Sequence, residues 1–390
     1  MYPAADAVLN ASGVKRWKTG HPWIYRAGIE VVEEETGREA VARVLTPTRR
    51  DLGWAMLSRE SQITLRRLDT QDPPDRAYLR GRIAAAVETR RARLPGRDAY
   101  RAVFGESDGL PGLVVDRYGE HLVAQFLTWG MDALRNEVVA LLQEVLAPKS
   151  ILGRNDTPVR RHEGLPLIVT ELAGSVPETA VYHEGDLEFT ADPRHGQKTG
   201  AFLDQVDNHL RAGSLARGRV LDLFTYAGGF ALAAARNAAQ VTAVDTSAGT
   251  LALAARHAAA NRIDSVLFQE ANVFDYLRDR DRAGDRFDVV ILDPPAFAKS
   301  KSDLPGALRG YKEINLRAMK ILDRGGILVT CSCSYHMSPA LLMEVLERAA
   351  ADARRPFRVV ERRGAGPDHP VRLGFPESEY LKCVVLEVLE

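Results

Sequence analysis

The sequence predicts an α/β protein whose C-terminal half folds around a parallel sheet with helices on both faces. Two observations predict this. From about residue 181, strand-like runs alternate with helix-like runs, the pattern of βαβ units. Before that point the text differs: residues 1–70 hold short β-like runs between turn signals and require no long helix. The chain of 390 residues is 45% hydrophobic and 27% charged, enough to bury large cores and to exclude disorder as the main state. At about 100–200 residues per domain, two or three domains are expected.

In order along the chain, Ala40–Val44 and Gln62–Leu65 read as strands, and Pro73 and Pro74 mark a break. Tyr78–Leu94 reads as a helix carrying Arg80, Arg82, Arg90, Arg91 and Arg93. Leu113–Val115 and His121–Leu127 can pair as a hairpin, Asp132–Leu146 is an amphipathic helix, and residues 163–180 are loop-like. The alternating region then runs Val220–Phe224, Ala231–Ala239, Val241–Val244, Leu251–Asn261, Val266–Glu270, Val289–Leu292, Leu308–Leu322, Ile327–Thr330 and Leu341–Ala351. Two last strands, Phe357–Glu361 and Tyr380–Leu386, have no helix between them, so one is expected to join the sheet antiparallel.

The first strand of the alternating region enters a glycine turn, VLDLFTYAGGF (220–230). Ligands of open α/β sheets bind beyond the carboxyl ends of the strands, where Asp222 lies and where Gly228 and Gly229 open a helix. The pattern is not G-x-G-x-x-G, so a pyrophosphate cradle is poorly supported. Asp245, at the end of the second strand, can accept hydrogen bonds from both hydroxyls of a ribose. An acid in the first turn suits a ligand with a positive amino group. Together these favour S-adenosylmethionine over NAD; the alternative is a generic doubly wound fold with incidental acids. FDVVILDPPAFAKSK (287–301) ends a further strand, and Pro294 and Pro295 stiffen the loop that holds Asp293 and Phe297. A carboxylate there can bind the amino edge of a base and an aromatic can stack on it; a plain turn that buries Phe297 is the other reading.

The next strand ends in CSCSYHMS (331–338). The strand is expected to end near Cys331, with Cys333 in the loop facing the pocket of Asp293, and Ser338 capping a helix that starts at Pro339. Carbon 5 of a pyrimidine is a poor nucleophile until a thiolate adds at carbon 6, so a cysteine beside a methyl donor is what carbon-5 methylation requires. Buried free cysteine is also common and inert, and Cys383, in an apolar run, reads as core. A C-x-C metal pair lacks companions, so no metal is expected.

At this point the chain resembles the bacterial 23S ribosomal RNA 5-methylcytosine methyltransferases that carry an N-terminal PUA domain. GHPWIY (20–25), GQKTGAFLDQVDNHL (196–210), DPPAFAKSK (293–301) and SCSYH (332–336) carry the resemblance. It implies a PUA-like RNA-binding domain (1–70), a small central α/β domain with linker (71–180) and a class I, Rossmann-like methyltransferase domain (181–390). It implies Cys333 as the covalent nucleophile with Asp293 beside it. It implies S-adenosylmethionine near Gln197, Lys198, Phe202, Asp204, Asp222, Phe224, Gly228, Asp245, Asn272 and Asp293, with Phe297 and Lys299 toward the substrate. Two positions depart from the family: Asn272 stands where Asp is frequent, its oxygen still able to accept from an adenine amino group, and Val206 stands where Arg is usual. Large-subunit ribosomal RNA is the implied partner and a homodimer the implied assembly.

Three other functions fit these residues less well. A guanine-N7 methyltransferase would need no covalent cysteine, and Cys333 discriminates against it. A non-catalytic assembly factor that merely holds S-adenosylmethionine is opposed by the intact set Asp222, Asp245, Asp293 and Cys333. A serine hydrolase lacks its G-x-S-x-G. Lys plus Arg is 52 and Asp plus Glu is 52, which excludes a wrapper that binds by bulk charge but not a local basic face. The arginine helix is read as leaning toward RNA phosphate. Three cysteines give no disulfide framework, and neither a signal peptide nor a membrane span is read, so a cytoplasmic protein is expected.

Overall fold

The computed structural model describes residues 2–298 and 300–389. The chain divides into two compact units. One comprises Met1–Tyr182, Thr190–Leu203 and Pro367–Ser378; the other comprises His183–Phe189, Asp204–Gly366 and Glu379–Glu390.

The first unit contains a six-stranded sheet in the order Trp23–Tyr25, Ile63–Leu68, Asp51–Leu57, Val41–Leu45, Ala4–Leu9, Ile29–Glu33. A short helix, Ala11–Lys18, follows the first strand, and the Asn10 side-chain Oδ1 caps it by accepting from Ser12 N and Gly13 N, both at 3.0 Å. Gly13 is required there: a Cβ would stand 2.0 Å from the Gly28 carbonyl oxygen. A five-stranded sheet follows, in the order Ile168–Ala173, Ser150–Asn155, His121–Phe126, Leu113–Tyr118, Ala99–Phe104. Residues 163–180, expected as loop, thus contain a strand. The helix expected over 132–146 is two, Trp129–Ala133 and Arg135–Leu146, broken at Leu134. One hydrophobic core joins Val41, Trp54, Met56 and Leu68 to Leu79, Ile83, Leu113 and Ile151. By contact, residues 190–203 and 367–378 group with this unit, and residues 183–189 with the other.

The arginine helix spans Arg76–Arg93, and its cations are largely committed within the unit. Arg90 is fully buried; its guanidinium donates to Asp108 Oδ1 and Oδ2 at 2.6 and 2.8 Å and to the Asp368 carbonyl at 2.8 Å. Asp368 in turn accepts from Arg101 N, and Arg101 grips Asp116 with two bonds of 2.8 Å. Arg82 donates to the Asp108 carbonyl and Arg80 to Glu144. The lean toward RNA phosphate is corrected for Arg82 and Arg90, which carbonyls and a buried carboxylate already hold; Arg80 pairs with Glu144 and stays exposed. Arg91 and Arg93 remain exposed.

The second unit is built on a seven-stranded sheet among the described residues. Its strands are β1 (Arg219–Leu223), β2 (Gln240–Asp245), β3 (Val266–Glu270), β4 (Phe287–Leu292), β5 (Leu322–Ser332), β6 (Phe357–Arg363) and β7 (Lys382–Val388). Its main helices are α1 (Val206–Leu215), α2 (Gly229–Ala235), α3 (Ala248–Ala260), α4 (Val273–Ala283), α5 (Leu304–Lys320) and α6 (Pro339–Ala353). The order is β3-β2-β1-β4-β5-β7-β6. The first five strands are parallel, and β7 pairs antiparallel with both β5 and β6. This is the expected Rossmann-like sheet with its late reversal. Leu221, Leu223, Val290, Leu292 and Leu328 face α5 and α6 residues such as Ile314 and Leu346; Val220, Val241, Val289 and Val329 face the other layer with Phe230 and Ala212. Cys383 is buried, as expected of a core residue. No helix is long and apolar enough to cross a membrane among the described residues.

Removing Arg90 leaves Asp108 buried without its counter-charge. Arg90→Ala is expected to destabilise the protein by about 3–5 kcal/mol in urea unfolding, against less than about 0.5 kcal/mol for the exposed Arg93→Ala. Equal effects would show that the buried pair carries no special weight.

Candidate active site

Parallel register brings three acids to one edge. Leu223 of β1 pairs with Val244 of β2 and with Leu292 of β4. Asp222, Asp245 and Asp293 therefore all lie at the carboxyl end of the sheet. The turn after β1 is unusual: Phe224, Tyr226 and Gly228 have φ of 65°, 50° and 88°. The Phe224 and Thr225 amides donate to the Val244 carbonyl, which fixes this strained path to β2. Gly228 caps α2, and a Cβ there would meet Ala254 Cβ at 3.2 Å.

Asp222 is fully buried. Its Oδ2 accepts from Thr225 Oγ1 at 2.6 Å, while Oδ1 is buried with no hydrogen-bond partner among the described residues. Burial pushes its pKa up to about 7, against the pull of Thr225 and of the nearby His209. His209, itself buried, gives a 2.6 Å bond to Glu184. A buried carboxylate oxygen left over in this way fits a cationic amino group. Asp245 accepts one backbone N–H on each oxygen, from Tyr226 and Ser247 at 3.0 Å, which leaves lone pairs for two hydroxyls. Asp204 is buried and accepts from Tyr380 Oη at 2.5 Å. The residues present fit S-adenosylmethionine.

Asn272 is used differently from the expectation. It is the N-cap of α4, and its side-chain oxygen already accepts from Phe274 N at 3.0 Å and Asp275 N at 3.3 Å. Both lone pairs are engaged, so acceptance from an adenine amino group by that oxygen is corrected; the amide Nδ2 is what it can offer. Gln197, Lys198 and Phe202 belong to the Thr190–Leu203 segment of the first unit. Gln197 and Lys198 are exposed there, with the Lys198 ammonium 4.6 Å from the Phe202 ring centroid.

Asp293 is oriented by a residue the sequence reading passed over. Gln205 Nε2 donates to Asp293 Oδ1 at 2.9 Å, Asn208 donates to Gln205 Oε1 at 2.7 Å, and Arg363 donates to Asn208 Oδ1 at 2.9 Å. Phe297 is half-buried and packs against Tyr311, with centroids 4.7 Å apart, and near Phe274 and Phe224 at 6.1 and 6.4 Å. Lys299 lies outside the described residues.

The serines of S-C-S explain where the cysteine points. β5 ends at Ser332, one residue beyond expectation. Ser332 and Ser334 are buried, and both hydroxyls bond Tyr311 Oη, at 3.0 and 3.1 Å. Ser334 Oγ also accepts from Ala298 N at 3.3 Å, tying this loop to the Asp293 loop. With its neighbours pinned inward, Cys333 stays half-exposed, its Sγ 4.0 Å from the Pro294 carbonyl. Cys331 is different: it sits opposite Cys383 in the β5–β7 ladder, and that thiol together with burial holds its proton firmly. Ser338 caps α6 by accepting from Leu341 N. A lone lysine opening the apolar run of β7 was a legible signal for one more residue here, Lys382, whose Nζ donates to the Ser334 carbonyl at 2.7 Å.

Two outcomes follow from this geometry. Asp222 carries a raised pKa, so its charged form opposes folding; the penalty is absent below the ordinary carboxyl range and complete above about pH 7. Asp222→Asn should therefore stabilise the ligand-free protein at pH 8 and change it little at pH 4, as read by thermal unfolding; the reverse trend would refute the burial account. Tyr311→Phe removes the hydroxyl that both serines share. A loss of about 1–3 kcal/mol is expected, with Cys333 alkylated faster by iodoacetamide in the folded state as its loop loosens; an unchanged rate would show that Tyr311 does not hold the loop.

Comparison with known proteins gives the family. The S-adenosylmethionine-dependent methyltransferase family matches residues 119–374, and a PUA-like domain matches residues 7–70. The chain is 40% identical over 377 residues to a protein of Shewanella amazonensis named ribosomal RNA large subunit methyltransferase I, covering 94% of this chain and 95% of that one. It is 36% identical over 378 residues to the Escherichia coli protein of the same name, covering 95% and 96%. In fold it is similar to a solved methyltransferase complexed with SAH (TM-score 0.83, 22% identity, 98% of this chain and 100% of that chain). A solved SAM-dependent methyltransferase from Streptococcus mutans gives a TM-score of 0.81 at 22% identity, with 98% and 100% covered. With acids at the sheet edge that fit the cofactor and with these matches, the chain belongs to the S-adenosylmethionine-dependent methyltransferases and carries an N-terminal PUA-like domain.

Proposed function

We propose that this enzyme methylates carbon 5 of a cytosine in large-subunit ribosomal RNA through a covalent Cys333 adduct. The substrate class follows the names of the Shewanella and Escherichia relatives and the PUA-like domain. The observation that carries the chemistry is the half-exposed Cys333, held between two pinned serines beside the Asp293 loop. A ring-nitrogen acceptor needs no such thiol.

When bound, S-adenosylmethionine supplies an electrophilic methyl group on a sulfonium. Asp222 receives its amino group and Asp245 its ribose hydroxyls. The Cys333 sulfur bonds carbon 6 of the base, and the carbon 5–carbon 6 π pair shifts to carbon 5, which takes the methyl group. When a base takes the carbon-5 proton, the pair of that carbon–hydrogen bond re-forms the carbon 5–carbon 6 double bond, and the carbon 6–sulfur bond breaks with its pair leaving on the Cys333 thiolate. Asp293, steadied by Gln205, accepts from the amino edge of the cytosine, and the half-buried Phe297 offers a ring to it. The same reading carries a cytoplasmic enzyme, and the family resemblance adds a homodimer.

RNA containing 5-fluorocytosine at the target is the test. Fluorine cannot leave as a cation, so the thiol cannot be eliminated after methyl transfer, and an adduct that requires S-adenosylmethionine should survive denaturing electrophoresis. Cys333→Ala should abolish both the adduct and turnover, while Cys331→Ala keeps part of both. A fully active Cys333→Ala would replace this mechanism with ring-nitrogen methylation.

A further inference from the structure

Lys382 is buried at the first position of β7, paired with Ser332 in the ladder to β5. An ammonium is rarely buried without a carboxylate partner. Here Nζ donates instead to two neutral carbonyls, those of Ser334 and Tyr380, at 2.7 and 2.8 Å. Two of its three N–H groups are spent in this way, and the first of them grips the residue next to Cys333. We propose that Lys382 is a positioning residue for the nucleophile: it clamps the Cys333 loop through the Ser334 carbonyl and sets a positive charge beside the thiol, so that Cys333 rests as the thiolate. The proposal rests on the covalent reading of Cys333 given above.

The surrounding charges agree. Burial draws the lysine's pKa down to about 8, and a negative Cys333 is the main influence working against that loss, with Glu379 after it. Arg362 and Arg363 line the same cavity as Lys382, of about 420 Å³. Arg363 is already committed to Asn208 and Glu361, and Arg362 is exposed. On the nucleophile's other sides stand Tyr311 and the Asp293–Pro294 turn. Neither Tyr311 nor this turn carries a positive charge. The ammonium is retained below about pH 8, so it is present over the range in which the thiolate must be held. The thiol proton leaves to solvent and the lysine keeps its own three.

The direct readout is the pH dependence of Cys333 alkylation by iodoacetamide in the intact protein without cofactor or RNA, followed by peptide mass. Cys331 and Cys383 are buried and do not compete. In the wild type the midpoint should fall at least one unit below the ordinary thiol value of about 8.5. Lys382→Met should move it up by about one unit or more, and Lys382→Arg should restore it to within about half a unit of the wild type. An unmoved midpoint in a folded Lys382→Met overturns the proposal. If that variant does not fold, a wild-type midpoint at or above about 8.5 overturns it equally. The 5-fluorocytosine adduct separates the two readings. A wild type that forms no adduct but has a Lys382-dependent midpoint overturns the covalent mechanism and supports the ion pair; an adduct with an indifferent midpoint does the reverse.

Discussion

Everything at the active edge depends on the register of β1 between its two parallel neighbours. Parallel pairing is set by evenly spaced, slanted hydrogen bonds, and a shift of one residue would turn every side chain to the opposite face. With Leu223 level with Val244 and Leu292, the chain leaves three strands at the same height. Three acids then meet there without any direct contact among them. The strained turn at Phe224 and Tyr226 follows from that constraint, because the backbone must bend at once toward α2 while its amides still reach the Val244 carbonyl. Strain of this kind persists only where the surroundings over-determine it.

The buried acids and the nucleophile loop are built by opposite means. Asp222 is left with an unused oxygen in an apolar setting, a cost held until a cationic ligand removes it. The Cys333 loop shows no such deficit among the described residues: Tyr311, Ser332, Ser334, Ala298 and Lys382 bond one another. The first arrangement favours binding, the second holds geometry. Both stand on the same sheet, but only the former makes the empty protein less stable.

What could be read from the sequence follows the range of the interactions involved. The alternation of strands and helices was plain because buried parallel strands are continuous apolar runs, and Asp222, Asp245, Asp293 and Cys333 were found because each ends such a run. Ile168–Ala173 was missed because none of its residues is buried and its flanks carry turn residues. Asn272 was misjudged although its local signal was present: an Asn followed three residues later by an acid is a helix start. Gln205 and Tyr311 could not be assigned roles, since their partners lie 88 and 21 positions away; Lys382 stands out as a lone lysine in an apolar run, but its partner, 48 positions away, does not. The arginine helix failed for the same reason, with Arg90 reaching a carbonyl 278 positions distant.

That last bond has a consequence for how the protein comes into being. Asp368 is buried in the N-terminal unit and holds the amide of Arg101 and the guanidinium of Arg90. Synthesis proceeds from the N-terminus, and domains ordinarily close as they emerge. Here Arg90 and Arg101 meet Asp108 and Asp116 early, but Asp368, which completes the charged interior, is translated only after nearly all of the methyltransferase sheet. The nascent chain must therefore carry an unfinished first unit while the second is being made. Arg90 and Arg101 thus gain their last partner only when the chain is nearly complete.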